Sequence, residues 1–169
     1  MIQAIVYTSN TGSTAQYAEL LAKETGLPVF SAAQARGKLP GQAEILYLGW
    51  IAAGTIQGYR AAAGRFHIAA VCAVGMGRSG SQLDELRQKN HLSSDMPLFS
   101  LQGGFELQKL RGPYRWMMNL MVKTAGKALA RKPDRTEEED DMLDMMLHGG
   151  SRVSPEHLRP VLDWYRAQI

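Results

Sequence analysis

The sequence predicts a doubly wound α/β domain, in which a five-stranded parallel sheet carries helices on both faces. Over the first 100 residues, short apolar runs alternate with stretches of helical periodicity, as in repeated strand–helix units. Residues 45–48 and 68–74 are apolar throughout, which is typical of strands buried on both faces of a parallel sheet. A chain of 169 residues suits one compact domain.

The strands and first helices are placed by periodicity and by their end signals. A helix over residues 13–25 follows the first strand, carries its small and aliphatic side chains on one face, and has Gly26 as its predicted C-cap. A second helix is predicted over residues 81–90, with Leu83 and Leu86 inward. The predicted strands are residues 2–7, 28–32, 44–50, 68–74 and 97–101.

After the fifth strand the pattern becomes helical, so we expect a basic helical insertion at about residues 106–135 and C-terminal helices over residues 136–169 of the same domain. Thr136 and Glu139 fit a capping box for an acidic helix, and Ser154 with Pro155 begins the last helix. In the insertion, the helix over residues 114–131 has a predicted apolar face of Met117, Leu120, Met121, Thr124, Ala125 and Ala128. Its opposite, basic face consists of Arg111, Arg115, Asn119, Lys123, Lys127 and Arg131.

Composition and charge exclude several kinds of protein. The single Cys72, in an apolar run, cannot form an internal disulfide framework or a CxxC site. No histidine has a second ligand at metal spacing, so we predict no metal site and no catalytic histidine. The N-terminus lacks a basic leader and no run approaches the ~18 apolar residues of a membrane span, so a cytoplasmic protein is expected. A net charge of +3 does not indicate nucleic-acid binding.

The turn between the first strand and the first helix, residues 8–14, predicts an anion site. Hydroxyl side chains, the Asn10 amide and Gly12 converge where backbone N–H groups at a helix N-terminus point towards solvent. The turn has no lysine and lacks the GxxxxGK[ST] spacing of nucleoside triphosphate loops, so a monophosphate bound by neutral donors fits better. The alternative is an ordinary Ser/Thr-rich turn that only caps the helix.

Residues 5–21, IVYTSNTGSTAQYAELL, resemble the flavodoxin signature. The similarity comprises the hydrophobic pair and the aromatic residue that end the strand, then Ser9, Gly12, Thr14, Ala18 and a final aliphatic residue. The resemblance implies a flavodoxin-like fold with strand order 2-1-3-4-5 and flavin mononucleotide (FMN) as cofactor. It further implies that the FMN phosphate is surrounded by Ser9, Asn10, Thr11, Gly12, Ser13 and Thr14.

Two further loops are expected to flank the flavin ring, because ligands of such sheets lie beyond the carboxyl ends of the strands. Trp50 either stacks on the ring or packs in the core, and Gly54 offers a flexible peptide near the flavin N5. The predicted ring contacts are Trp50, Ile51, Ala52, Ala53 and Gly54 in the first loop, and Gly75, Met76 and Gly77 in the second.

The second of these loops also spells GxGxxG over residues 75–80, the pattern of dinucleotide-binding turns. That pattern normally opens the first strand–helix unit and needs an acidic residue about 20 positions later, at the end of the next strand. Here it follows the fourth strand, and Asp95 precedes the next strand. We therefore expect a glycine-rich loop that lies over the flavin ring, with a dinucleotide site as the alternative.

Three later segments resemble a branch of the flavodoxin family. They are residues 98–105 (LFSLQGGF), Trp116-Met117-Met118 and the acidic run after Thr136. That branch contains menaquinone-dependent protoporphyrinogen oxidase and small bacterial flavoproteins. The resemblance implies an FMN-dependent oxidoreductase for a small molecule such as a porphyrinogen or a quinone. The alternatives are a non-catalytic electron carrier between protein partners, for which a pI of about 9.1 would require acidic partners, and a flavodoxin fold without flavin.

The basic face from Arg111 to Arg131 raises the question of a membrane partner. Such a helix can pack on a partner, or it can lie on an anionic membrane surface, here at the inner membrane face, where it would bring a flavin close to membrane quinone. The interpretation that the sequence favours is that the apolar face covers the sheet and the basic face is solvated, because each helix of an α/β fold buries one face.

Overall fold

A computed structural model describes residues 1–169. The chain forms one main sheet of six strands and a separate two-stranded hairpin. The strands of the main sheet are β1 (Ala4–Thr8), β2 (Val29–Ser31), β3 (Glu44–Ala52), β4 (Thr55–Ile56), β5 (His67–Gly75) and β6 (Leu98–Gln102). The hairpin consists of β7 (Gly104–Phe105) and β8 (Gly150–Ser151).

The main sheet has the order β2-β1-β3-β5-β6, with these five strands parallel and the two-residue β4 antiparallel to β3. Counting only the parallel strands, this is the predicted order 2-1-3-4-5. Side chains alternate between two cores: Val6, Tyr47 and Val71 pack on one face, whereas Leu46 and Cys72 pack on the other. The predicted fold class is therefore confirmed, and the fold is flavodoxin-like.

The helices are α1 (Ser13–Thr25), α2 (Ala32–Lys38), α3 (Tyr59–Ala63), α4 (Leu83–Asn90), α5 (Pro113–Met121), α6 (Lys127–Arg131), α7 (Glu137–His148) and α8 (Arg159–Arg166). The predicted bounds of α1 are confirmed, as is its left-handed Gly26 C-cap. The capping box of α7 is present with both hydrogen bonds. None of the helices is both long and apolar enough to cross a membrane.

The insertion lies between the two strands of the β7–β8 hairpin. A π-helical turn, Val122–Gly126, joins α5 to α6, so that residues 113–131 form one continuous helical segment, and α7 packs against it. After β8 the chain returns to the sheet, where Leu158 and Val161 pack against the α1 face. The insertion is thus a helical cover whose chain enters and leaves the domain through the two short paired strands β7 and β8.

The predicted apolar face of the 114–131 helix is wrong at four of its six positions, and only Met117 and Met121 are half-buried. Leu120, Thr124, Ala125 and Ala128 are exposed, whereas Gly126 is buried. The reason is that the helix does not lie flat on the sheet: it packs on α7 beyond the carboxyl ends of the strands, and the π turn rotates its later residues relative to a regular helix. The predicted basic face, in contrast, is exposed along its whole length.

Candidate functional site

A cavity of about 240 Å³ lies beyond the carboxyl ends of the parallel strands, under the helices of the insertion. Its floor is made by the loop after β1 (residues 8–14), the β3–β4 hairpin, the loop after β5 and the segment after β6. Of the predicted site residues, the cavity wall contains Asn10, Thr11, Ser13, Thr14, Trp50, Ile51, Ala53, Gly54, Gly75, Met76 and Gly77. Ser9, Gly12 and Ala52 lie behind the wall.

The N-terminus of α1 carries unpaired donors at one end of this cavity. Gly12, the N-cap, has a left-handed φ of 109°, and no side chain caps the helix. The first hydrogen bond of the helix runs from the Gln16 N–H to the Gly12 carbonyl at 3.0 Å, which leaves the N–H groups of residues 13–15 without a protein acceptor. No side chain of the turn caps α1, which favours the anion site over a turn that only caps the helix.

Three hydroxyl groups of the loop are also free. The side chains of Thr11, Ser13 and Thr14 make no hydrogen bond within the protein, although Thr14 is only 1% exposed. Ser9 and Asn10 already have partners in the protein. The Ser9 Oγ accepts from the Gly12 N–H of the same loop at 3.2 Å, and the Asn10 Oδ1 accepts from the Arg111 N–H of the insertion at 3.2 Å. The loop thus directs neutral donors into the cavity, as an anion site requires.

The segment after β3 is a tight hairpin instead of the predicted loop. Ala53 (φ 49°) and Gly54 (φ 77°) are both left-handed and form the two-residue turn between β3 and β4. The buried Asn90 of α4 donates from Nδ2 to the Gly54 carbonyl at 2.9 Å and accepts the Ile56 N–H at 2.8 Å. The peptide expected to be flexible is therefore held in place. An alanine in a left-handed conformation gives little sequence signal for such a turn.

Trp50 belongs to the cavity wall and to neither hydrophobic core. Its ring meets Tyr114 edge-on, with centroids 4.8 Å apart and an interplanar angle of 81°. Tyr114 in turn donates to the Gln57 Oε1 at 3.2 Å. The start of the insertion is thus fixed to the β3–β4 side of the site, and the indole is available to a ligand in the cavity.

The glycine-rich loop after β5 is occupied by a carboxylate. The Arg78 N–H donates to the Glu138 Oε1 of α7 at 3.0 Å, and the Ser81 hydroxyl approaches the same oxygen at 3.1 Å. A dinucleotide pyrophosphate would need such N–H groups for itself, in the absence of a competing carboxylate. This arrangement argues against a dinucleotide site and favours the first interpretation, in which the glycine-rich loop lies over a flavin ring.

The wall opposite the loop after β1 comes from β7 and the insertion and was not predicted. It is apolar and contains Phe105, Leu110, Met118, Met121, Met142 and Met146. The methionines are spaced by three in α5 and by four in α7, a helical pattern that could have indicated a shared face. The helix α7 is held over the site by Asp141, which accepts from the Gln102 Nε2 at 2.6 Å and from the Arg152 Nε at 3.1 Å.

A scan against protein-family models finds no match for this chain, and a search of curated proteins finds none either. The similarity to flavodoxins therefore rests on the residues of the signature and on the fold.

Proposed function

We propose that the protein binds FMN and acts as an oxidoreductase on a small molecule such as a porphyrinogen or a quinone. The observation that carries this proposal is the cluster of free donors at the α1 N-terminus, at one end of a cavity that is otherwise mainly apolar. A ligand that matches both ends has a single phosphate and a flat, largely apolar ring system.

The remaining wall supports a neutral ring in preference to a polyphosphate. Glu106 is the one charged side chain of the wall, and it is paired with Lys109 at 3.0 Å. No lysine or arginine side chain lines the cavity to neutralise further phosphates. Methionine side chains are polarizable and adapt to flat aromatic surfaces, which suits a wall against a ring.

Each part of the site would have a definite task. The hydroxyls of Thr11, Ser13 and Thr14 and the first N–H groups of α1 would bind the phosphate. Trp50 and the methionines of the insertion would exclude water from the ring, and Asn90 fixes the neighbouring hairpin turn. FMN, when bound, would supply the electron-transfer chemistry, while the protein sets its position and surroundings.

The helical cover favours the oxidoreductase over the alternative, an electron carrier. A carrier passes electrons through direct contact between its partner and an exposed cofactor edge, whereas α5 and α7 lie over this cavity. Acidic partners would also be required, because the exposed row on α5 and α6 is basic. A cytoplasmic location stays part of the proposal, and contact with the inner face of the membrane is argued separately below.

The decisive experiment compares ligands that differ in the phosphate. We expect the apoprotein to quench FMN fluorescence with high affinity, to bind riboflavin much more weakly, and to show no saturable binding of NADH. Absence of FMN binding, or equal affinity for FMN and riboflavin, would contradict the proposal. Turnover of protoporphyrinogen IX with a menaquinone analogue then separates an oxidoreductase, which is active, from a carrier, which is not.

A further inference from the structure

We propose that the exposed face of the α5–α6 helix docks on the surface of an anionic lipid bilayer. This docking face joins a row of cations to two large apolar side chains, all exposed to solvent. It consists of Arg111, Arg115, Trp116, Leu120, Lys123, Lys127 and Arg131.

The cations of the docking face are electrostatically uncompensated. None of them takes part in an ion pair, although the acidic helix α7 packs beside them. The acids of α7 are neutralised by other partners: Glu139 by Lys132 at 2.8 Å, and Asp140 by Arg135 at 2.6 Å. The positive charge therefore remains available to an anionic surface.

The two large apolar side chains of the docking face, Trp116 and Leu120, are both exposed, although Leu120 belongs to the face that the sequence predicts to be buried. Trp116 is 71% exposed, and Leu120, one turn later on the same side of the helix, is 48% exposed. Water is an unfavourable environment for both. Tryptophan is enriched at the headgroup level of membranes, where its ring is buried and its N–H stays near water. An in-plane helix combines such side chains with a row of Lys and Arg.

A lipid surface fits this face better than an acidic protein does. Lysine is depleted in protein–protein interfaces, yet Lys123 and Lys127 lie next to Leu120. Lipid headgroups, in contrast, accept flexible ammonium groups without fixed geometry. The other side of the same helix lines the cavity with Met118 and Met121, so docking brings the cover of the cavity to the bilayer.

The test measures binding of the full-length protein to vesicles by co-sedimentation, and it requires no FMN. We expect binding to vesicles of phosphatidylglycerol and phosphatidylethanolamine, loss of binding in about 0.5 M salt, and little binding to pure phosphatidylcholine. Lys123→Glu with Lys127→Glu is expected to weaken binding at least about 20-fold. The matched control, Lys23→Glu with Lys38→Glu, changes the net charge equally at two exposed lysines of α1 and α2 and is expected to bind much more like the wild type.

The apolar anchors are tested by a second variant. Trp116→Ser with Leu120→Ser retains every cation, and we expect about tenfold weaker binding to anionic vesicles with an unchanged circular dichroism spectrum. Equal loss of binding in the two charge variants, or no effect of either substitution pair in the docking face, would overturn the proposal. Retention of the wild type on polyglutamate beads without vesicle binding would assign the face to an acidic protein and would overturn it equally.

Discussion

Thr14 is the most deeply buried of the hydroxyl residues in the loop of residues 8–14. Its side chain is almost completely buried, yet its hydroxyl has no hydrogen-bond partner in the protein. Every fully buried side-chain oxygen and nitrogen of the protein has a hydrogen-bond partner, so the unpaired Thr14 hydroxyl is the part of the side chain that reaches the cavity, where a ligand can supply the acceptor. The helix amides beside it add the positive end of the α1 dipole.

The first prediction concerns this hydroxyl and its neighbour. Thr11→Val with Thr14→Val removes two donors, and we expect FMN affinity to fall by about 1–3 kcal/mol for each lost charge-assisted bond. Riboflavin affinity is expected to change little, because it has no phosphate. The measurement is fluorescence titration of both ligands. Thr25→Val, at the C-terminal end of the same helix, is the control, and unchanged FMN affinity in the double variant would place the phosphate elsewhere.

The second prediction concerns the one thiol. Burial raises the pKa of Cys72 to about 12, because the thiolate is disfavoured without water. At pH 8 the folded protein is therefore expected to react with a disulfide reagent only through unfolding, and the reaction is expected to become rapid in denaturant. The rate is followed as absorbance of the released chromophore. Rapid stoichiometric labelling of the native protein would show that the thiol is accessible.

At the scale of elements, the β3–β4 hairpin depends on a helix that is distant in sequence. Asn90 satisfies the Gly54 carbonyl and the Ile56 N–H, and its Nδ2 also donates to the Leu86 carbonyl at 2.9 Å. These bonds offset the strain of a left-handed Ala53 at the turn. One buried amide thus holds the segment that presents Trp50 to the cavity.

The third prediction removes this amide. Asn90→Ala leaves the buried Ile56 N–H and the part-buried Gly54 carbonyl without this partner, and we expect the free energy of unfolding to fall by about 2–4 kcal/mol. Chemical denaturation gives this value. Asn119→Ala, at an exposed position of α5, is expected to change it by no more than about 0.5 kcal/mol. A similar, small effect of both substitutions would show that the hairpin does not depend on Asn90.

For the whole molecule, the insertion is separate from the two hydrophobic cores. No residue between 106 and 149 belongs to either core, and the chain enters and leaves through the paired strands β7 and β8. The sheet and its helices should therefore fold without the cover. The cover instead supplies the apolar wall of the cavity and the docking face.

The fourth prediction tests this separation. Replacement of residues 106–149 by Asn-Gly joins Phe105 to Gly150, which are paired residues of the hairpin, through a two-residue turn. We expect native-like circular dichroism with a cooperative thermal transition. If FMN binds, we also expect its fluorescence to be quenched by iodide more strongly than in the full chain. A chain that lacks a cooperative transition would show that the insertion is part of the folding core.

The sequence by itself determined the parallel sheet, the bounds of α1 and the turn at residues 8–14 that leads into this helix. These features depend on local signals that lie within a few consecutive residues. Continuous apolar runs indicate the buried strands, and the glycines that flank α1 mark its ends. The acidic helix α7 was equally predictable, since Thr136 and Glu139 form its capping box within one turn.

Only the tertiary structure decided what encloses the cavity. Asn90 meets Gly54 across 36 positions, and Glu138 meets the Arg78 N–H across 60. The buried side of α5 and α6 was equally undetermined, because a helix buries whichever side meets its neighbour, and here that neighbour is α7 in place of the sheet. Contacts between distant residues leave no periodic trace in the chain. The loop after β1 could therefore be predicted as part of the candidate site, whereas the contact that brings the methionines of α5 and α7 to the same cavity could not.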